Sequence, residues 1–355
     1  GDLTLSNLVG TETLTLSGNG SLSDANVATN KTVSLNTLSI ADNTGLASNY
    51  TLSGGTHQLT INQRPLNATL SRQYDGTATS AGSTLSSFDA LQGGETLTMS
   101  GSGTAASVNV ANGIAMSSNG DLGLVDGTGL ASNYSLNSTV INITQRVLNS
   151  SGSKTYDANT NALAADITLS NLVSGETLNH SGTATLSSAN AGSYTISNLT
   201  GISIADNAGL ASNYTLTGGT HNFTVNPKVV SIQGNKTYDG NTTINTSDIT
   251  AIVDTVGSET LVMSSGTGTT SSQNAATYTS AGINEGSLTL GDGSNGGLAA
   301  NYTLTGHAAS SFQINQRVLS SSGTRTYDGT ATASSSDLTL SNLVGSETLT
   351  LSGNG

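Results

Sequence analysis

Several residue types that usually stabilise a protein or give it chemistry are scarce in this chain. Its 355 residues include no cysteine, no tryptophan and only 2 prolines. Without cysteine, a disulfide framework and a thiolate metal site are both excluded. No apolar run approaches the roughly 20 residues that a membrane-spanning helix needs, so we expect no membrane insertion of this segment. The fold must therefore depend on noncovalent packing alone.

Charge is also scarce, and its sign is one-sided. Only 9% of the residues are charged, and 22 acidic side chains against 9 basic ones give a formal net charge of −13. Binding of nucleic acid depends on clustered Lys and Arg, so nucleic acid is not expected as a partner. Dispersed acidity of this kind mainly supports solubility.

What the chain has in abundance is repetition. The segment 337–349 restates the segment 2–14, with Ser346 in place of Thr11 as the one difference. A composition poor in charge and rich in Gly, Ser and Thr can indicate disorder, but a disordered chain has no need to keep Leu, Ile, Val and Tyr at regular places. Self-similarity at a fixed period indicates an array, and we interpret this chain as a window of a longer tandem repeat.

The ten tyrosines define the period, which is about 82 to 89 residues. Four lie in Tyr-Asp-Gly-like turns, four follow an Asn, and two share one place in the middle of the repeat. We expect the first two sets to be buried rings beside turns whose Asp accepts backbone N–H bonds, rather than ligand-facing residues. The predicted structural repeat motif consists of Tyr74, Asp75, Gly76, Tyr156, Asp157, Tyr238, Asp239, Gly240, Tyr327, Asp328 and Gly329, together with Tyr50, Tyr134, Tyr214 and Tyr302.

The boundaries of the repeats follow from a column of basic residues. Arg64, Arg146, Lys228 and Arg317 each end a run such as Ile-Asn-Gln-Arg, and the next unit begins at once. The predicted units are 1–66 (truncated at its N-terminal side), 67–148, 149–230, 231–319 and 320–355 (truncated at its C-terminal side). Because so short a link cannot act as a flexible tether, we expect a stiff rod.

The segments between the turns predict strands. Leu3–Leu5, Leu14–Leu16, Val33–Leu35, Tyr50–Leu52 and Leu59–Ile61 alternate apolar with small polar residues, as strands with one buried face do. The best helix candidate is the segment 85–91. We therefore predict an all-β array of small β-sandwich or β-grasp-like units with little helix; the alternative is a continuous β-solenoid.

Catalysis and metal binding have weak support in the sequence. A glutamate recurs once per period: Glu12, Glu95, Glu176, Glu259 and Glu347. No second carboxylate accompanies it, as a catalytic pair would require. We therefore interpret this glutamate as a charge at a strand edge that discourages pairing with another strand. The histidines are isolated, whereas zinc needs three or four clustered ligands. We expect no enzyme and no cofactor; calcium at the repeat junctions stays open as a weaker alternative.

Taken together, the motifs resemble a known family. Lys-Thr-Tyr-Asp-Gly at 236–240, Arg-Thr-Tyr-Asp-Gly at 325–329, the Asn-Tyr-Thr-Leu segments and Ile-Asn-Gln-Arg at 314–317 are similar to the YDG-type repeats of large, filamentous-haemagglutinin-like bacterial surface adhesins. The resemblance implies two-partner secretion, display as a fibre outside the cell, and roles in attachment, aggregation or biofilm matrix. It supplies no ligand-binding residues.

Two functions are therefore weighed. The first is a structural filament segment of a secreted or cell-surface adhesin, whose partners are neighbouring repeats. The second is a multivalent module in which each unit binds cell-surface glycan or matrix polysaccharide weakly and avidity multiplies the affinity. Because all ten tyrosines have places expected of core or turn residues, the first is preferred. The ends also allow strand complementation between copies, as an alternative to one long polypeptide.

Overall fold

The computed structural model describes residues 2–196 and 199–353, which form short strands joined by turns. Within these residues every helical element is a 3₁₀ turn of three residues: Ala47–Asn49, Gly82–Thr84, Ala131–Asn133, Ala164–Asp166, Ala211–Asn213, Thr246–Asp248, Ser280–Gly282, Ala299–Asn301 and Ser335–Asp337. The strands form many separate sheets of two to six strands. The prediction of small all-β units is confirmed, and the single solenoid is not what the chain forms.

The strands follow the sequence periods. The first two periods contain β1 (Leu14–Ser17), β2 (Ala28–Thr32), β3 (Ser39–Asp42), β4 (Gln58–Ile61), β5 (Arg64–Gln73), β6 (Thr79–Ala81), β7 (Leu85–Phe88), β8 (Leu97–Ser100), β9 (Ser102–Ala105), β10 (Ala111–Ser118), β11 (Gly123–Asp126), β12 (Tyr134–Thr144) and β13 (Arg146–Val147). The third contains β14 (Asn149–Thr155), β15 (Asn161–Leu163), β16 (Ile167–Ser170), β17 (Asn179–Thr185), β18 (Gly192–Thr195), β19 (Ile202–Ala205), β20 (Tyr214–Thr215) and β21 (His221–Asn226).

The remaining strands belong to the fourth and last periods. These are β22 (Lys228–Val229), β23 (Ser231–Thr237), β24 (Thr243–Asn245), β25 (Ile249–Val253), β26 (Leu261–Ser265), β27 (Thr267–Thr270), β28 (Thr277–Thr279), β29 (Ile283–Asn284), β30 (Thr289–Asp292), β31 (Tyr302–Thr303), β32 (Ser311–Asn315), β33 (Ser320–Gly323) and β34 (Leu338–Ser341).

One strand is central to the main sheet of each complete repeat. It is the strand that follows the basic column, namely β5, β14 or β23. On one edge it pairs antiparallel with β7, β16 or β25, and on the other it pairs parallel with the last long strand of the same repeat, β12, β21 or β32. The start and the end of each repeat are thereby held side by side, which closes the repeat on itself.

A glycine gives this central strand room to approach its neighbours. In β14, Gly152 lies opposite Phe223; a Cβ there would lie 2.8 Å from the Phe223 ring and 2.3 Å from the Asp166 carbonyl oxygen. The second repeat places Leu70 opposite Ile141 instead. The large Phe223 ring is thus accommodated by a glycine, whereas the second repeat fills the equivalent space with two medium-sized aliphatic side chains, as close packing of a core allows.

The chain divides into two compact units that cut across the sequence periods. Unit 1 comprises the described residues of 1–147, 172–178 and 206–215, and unit 2 comprises those of 148–171, 179–205 and 216–355. In unit 2 the buried hydrophobic side chains, from Tyr156 to Ile314, form one cluster that runs through its parts of the third and fourth periods. In unit 1, Leu66, Leu97 and Tyr134 form such a cluster. The predicted unit boundaries stay a prediction.

Not every predicted strand forms. The predictions for Leu14–Leu16 and Leu59–Ile61 are confirmed by β1 and β4, but Leu3–Leu5 and Tyr50–Leu52 lie outside the strands, and Val33–Leu35 contributes only an isolated bridge between Ser34 and Ser21. The residues equivalent to Tyr50 and Thr51 form short strands in the third and fourth periods, where a neighbouring strand pairs with them, as β13 pairs with β20 and β22 with β31.

The helix predicted over 85–91 was wrong. Leu85–Phe88 is the strand β7, which pairs antiparallel with β5. The backbone groups of so short a segment gain more from pairing with an adjacent strand than from a single helical turn, because helix nucleation is unfavourable.

Candidate functional site at the repeat junctions

The most organised polar cluster of unit 1 lies where the second sequence period meets the third. Tyr74 donates its hydroxyl to Glu176 Oε1 at 2.5 Å, and Tyr214 donates to Glu176 Oε2 at 2.6 Å. The two rings meet edge to face, with centroids 5.4 Å apart. The Tyr214 hydroxyl in turn accepts the Val173 N–H. One carboxylate therefore holds two buried phenols from different sequence periods.

Unit 2 repeats this arrangement with its own residues. Tyr156 donates to Glu259 Oε1 at 2.8 Å and Tyr302 donates to Glu259 Oε2 at 2.5 Å. The ring centroids are 5.3 Å apart, again edge to face. Farther along, Tyr238 donates to Glu347. We call this set of one glutamate and two tyrosines the Tyr–Glu–Tyr triad.

An asparagine binds across the same junctions. Asn213 Oδ1 accepts the Val110 N–H at 2.9 Å, and its Nδ2 donates to Asn109 Oδ1 at 3.0 Å. Asn133 makes the same two bonds to Val27 and Asn26 in unit 1, and Asn301 makes them to Ala191 and Asn190 in unit 2. Each of these asparagines is the last residue of a 3₁₀ turn, and the tyrosine of the Asn-Tyr pair follows it directly. The short turn therefore directs the asparagine and the tyrosine side chains toward the preceding period.

The Asp of each Tyr-Asp turn has a local role. Asp75 accepts the Thr77 N–H at 2.9 Å, and Asp157, Asp239 and Asp328 accept the equivalent N–H groups. The basic residue two positions before each tyrosine forms an ion pair with the same Asp, as Lys154 does with Asp157 at 2.8 Å. Burial would raise the pKa of Asp157, but the bonds from Lys154 and Asn159 lower it below its ordinary value. The Asp side chain therefore holds the backbone of the turn, and the basic side chain before the tyrosine holds the Asp in place.

The triads keep their phenols neutral. Burial first, and then the bond to the glutamate, raise the pKa of Tyr156, Tyr214 and Tyr302 to about 12 and also raise that of Tyr74. A phenolate beside a carboxylate would place two negative charges together, and neither would be well solvated. At neutral pH the triads therefore offer no phenolate nucleophile.

The other tyrosines of the predicted motif have different surroundings. Tyr50 and Tyr134 donate to Glu12 and Glu95 in the same way as the second tyrosine of a triad does, and each of these glutamates receives one tyrosine hydroxyl within the described residues. Tyr327 is 93% exposed. The glycines of the turns, Gly76, Gly240 and Gly329, all have positive φ, and Ala158 adopts φ of 63° in their place.

The strand-edge interpretation of the recurring glutamates was wrong. Glu176 and Glu259 accept two tyrosine hydroxyls each, so their charge is bound inside a junction rather than presented at an edge. The sequence contained a signal for this: glutamate recurs once per period, as each of the two tyrosine columns does. Their pairing could not be read, because Tyr74 and Glu176 are separated by a whole repeat.

Within 2–196 and 199–353, no group of three or more His, Asp and Glu side chains is arranged to hold a metal ion. Over the same residues, no helix has the length and apolar character needed to cross a membrane.

Comparison with known proteins agrees with the motifs. The YDG domain family matches the chain twice, over residues 55–141 and 142–222. Each match contains one tyrosine of a Tyr-Asp turn and one of an Asn-Tyr pair: Tyr74 and Tyr134 in the first, Tyr156 and Tyr214 in the second. A search of curated proteins found no match. Residues 55–222 therefore match two consecutive YDG domains, which supports the prediction of YDG-type repeats.

Proposed function

We propose that this chain is a structural segment of a secreted or cell-surface bacterial adhesin, which projects from cells or links them in attachment, aggregation or biofilm matrix. The observation that carries the proposal is the Tyr–Glu–Tyr triad. It joins one sequence period to the next through a buried charge-assisted hydrogen-bond cluster, and such bonds are about twice as strong as neutral ones. A junction of this kind keeps consecutive repeats mechanically connected, as a filament requires.

The same observation argues against an enzyme. The ordered polar groups of the triads are saturated by one another and hold neutral phenols, so they offer neither a nucleophile nor a free acid and base. The proposed partners are neighbouring repeats of the same chain or fibre, with neither nucleic acid nor cofactor required.

Surface location follows as part of the proposal. We expect export by two-partner secretion and display outside the cell. The test is labelling of intact, unpermeabilised producer cells with an antibody raised against this segment. Surface or extracellular fibre staining that disappears when the outer-membrane export partner is deleted supports the proposal. Staining that requires permeabilisation would refute it.

A multivalent glycan-binding module is the competing function, and a binding experiment separates the two. The tyrosine rings of the complete triads, which could otherwise stack on a sugar, are buried, as Tyr74 and Tyr302 are. We therefore expect no saturable binding of the whole chain to a glycan array. Saturable binding that grows with the number of repeats would reverse the order of the two functions.

A further inference from the structure

One six-residue segment recurs almost unchanged in the first four periods, and its second residue is an exposed leucine. The segment reads Gly-Leu-Ala-Ser-Asn-Tyr at 45–50, 129–134 and 209–214, and Gly-Leu-Ala-Ala-Asn-Tyr at 297–302. In each copy the leucine directly precedes the 3₁₀ turn, and the glycine before it is buried. Between 40% and 58% of the leucine is exposed. We call these residues the turn leucines: Leu46, Leu130, Leu210 and Leu298.

Contacts within the chain explain most of this segment. A Cβ on Gly209 would lie 2.5 Å from Glu176 Oε2. Asn213 binds the preceding period, and Tyr214 binds Glu176. Leu210 takes part through its backbone, because its carbonyl accepts the Asn213 N–H at 3.0 Å. Any residue could supply that carbonyl, so the bond does not account for a leucine side chain at this place.

Packing of the core does not account for the leucine either. Another leucine, two residues after the recurring glutamate, is at most 9% exposed in the second, third and fourth periods: Leu97, Leu178 and Leu261. Among the described residues, the turn leucines belong to neither of the hydrophobic clusters given above for units 1 and 2. A surface residue that recurs without a role in the core is a stronger indication of binding than a core residue is.

Exposure alone carries no meaning, because single apolar side chains are common on protein surfaces. Leu163 illustrates this. It is 48% exposed and also precedes a 3₁₀ turn, yet the equivalent residues of the second and fourth periods are Ala81 and Asn245. What distinguishes the turn leucines is therefore their recurrence at one exposed position in four periods.

We propose that the turn leucines are contact points, one in each of the four periods, for a second copy of this chain that binds side by side with the first. A partner that contacts several of them at once must offer apolar groups at the spacing of the repeats. A second copy has that spacing whatever path the chain follows. The exposed part of one leucine is far smaller than the roughly 800 Å² per partner of a stable interface. Several repeats must therefore engage together, so that avidity multiplies weak contacts.

Charge opposes this association and gives it a recognisable salt dependence. Close to each turn leucine, a carboxylate accepts the N–H of the alanine that follows the leucine, as Asp206 accepts the Ala211 N–H at 2.7 Å. The other carboxylates are those of Asp42, Asp126 and Asp292. Two copies that meet at these turns bring like charges near each other, and the net charge of each copy is −13. Salt screens repulsion between exposed charges, so added salt should strengthen the contact, whereas it would weaken a contact made by ion pairs.

Sedimentation equilibrium of the full chain over a dilution series, at low and at high sodium chloride, measures the association. We expect reversible self-association that is tighter at high salt. Leu130→Ser, followed by the addition of Leu210→Ser and then Leu298→Ser, should weaken the dissociation constant by about tenfold at each step, because each change removes apolar contact area from both copies. Methionine at the same three positions keeps the apolar surface and nearly the same volume, so that variant should associate as the parent does.

Leu163→Ser is the matched control, because it removes a similarly exposed leucine that does not recur. It should leave the dissociation constant unchanged. A parent chain that stays monomeric at every concentration and salt would overturn the inference. So would a triple serine variant that associates as tightly as the parent, a methionine variant that associates as weakly as the serine variant, or an equal loss with Leu163→Ser. The inference does not rest on the adhesin role, since the antibody test of surface display can fail while purified chains still associate.

Discussion

At the scale of single residues, the glutamate and the two tyrosine columns that recur in the sequence meet at the junctions between periods. The sequence could predict that Tyr74 and its equivalents are buried beside turns, because composition and local spacing determine a turn. It could not predict that Glu176 receives them, because the two residues are brought together only by the packing of one period on the next. Repetition shows that a residue is needed once per repeat, but not what it contacts.

The junction asparagines offer a clean test at this scale. Asn301 is 1% exposed and accepts the Ala191 N–H at 2.8 Å. Asn301→Ala removes the buried amide and leaves that part-buried N–H without its acceptor, which we expect to lower the free energy of unfolding by about 1–3 kcal/mol. The matched control is Asn49→Ala: the equivalent residue of the first period is exposed, and its loss should change stability by less than about 0.5 kcal/mol. Urea unfolding of both variants measures the difference, and equal effects would contradict the role of the amide.

The phenols predict how stability depends on pH. The folded chain raises the pKa of Tyr156, Tyr214 and Tyr302 to about 12, from an ordinary value of 10.0. When folding raises the pKa of a group, that group stabilises the fold fully at any pH below its pKa in the unfolded chain. The contribution is lost as the pH rises through the pKa of the same group in the folded chain. We therefore expect the urea midpoint to hold below about pH 10 and to fall between about pH 10 and 12.

One variant separates this effect from other alkaline titrations. Tyr302→Phe should start from a lower midpoint and lose less of it between those pH values, because one titrating phenol is gone. All other titrating groups are the same in the two proteins and cancel in the comparison. Parallel pH profiles for the parent and Tyr302→Phe would show that the triads do not cause the alkaline loss.

At the scale of strands, the alternation of apolar and polar residues predicted a strand correctly only where a partner strand lies beside the segment. Leu59–Ile61 is a strand because β2 lies beside it. Leu3–Leu5 has the same alternation and forms none, because no central strand covers it in the described chain. The segment 85–91 was misjudged for a related reason: its pairing with β5 is a nonlocal contact. The intrinsic preference of a segment for helix or strand is therefore weak, and pairing with a neighbouring strand overrides it.

The glycine in the central strand gives a prediction for this scale. Gly152→Ala places a Cβ within 2.3 Å of the Asp166 carbonyl oxygen and 2.8 Å of the Phe223 ring. Because backbone and a buried ring cannot both move freely, we expect a loss of about 1–3 kcal/mol in the free energy of unfolding. Gly123→Ala is the control, since the nearest atom to its Cβ would be Asp121 O at 3.9 Å. An equal, small effect in both strands would mean that the central strand is not tightly packed.

At the scale of the whole molecule, the periods of the sequence and the compact units of the structure do not coincide. The segments 172–178 and 206–215 belong to the third period by sequence but to unit 1 by contact. They contain Glu176 and Tyr214, which are the groups that bind Tyr74. A period read from the sequence therefore marks what is repeated, whereas the cooperative unit is set by where side chains of successive periods meet.

This arrangement predicts how instability spreads. In unit 2, Glu259 binds Tyr156 of the third period and Tyr302 of the fourth, and one hydrophobic cluster runs through both. Glu259→Ala removes the shared acceptor, so we expect amide hydrogen exchange to accelerate in both periods, as nearest-neighbour coupling between repeats requires.

The control is Glu285→Ala, because Glu285 contacts His307 within the fourth period alone. Its effect on exchange should be confined to residues 231–319, while Glu259→Ala should also reach β14 and the Tyr156 turn. The comparison is made by mass spectrometry on peptides from each period of the full chain. If Glu259→Ala left the third period as protected as in the parent, the triad would be a contact without coupling, and stability would be set repeat by repeat.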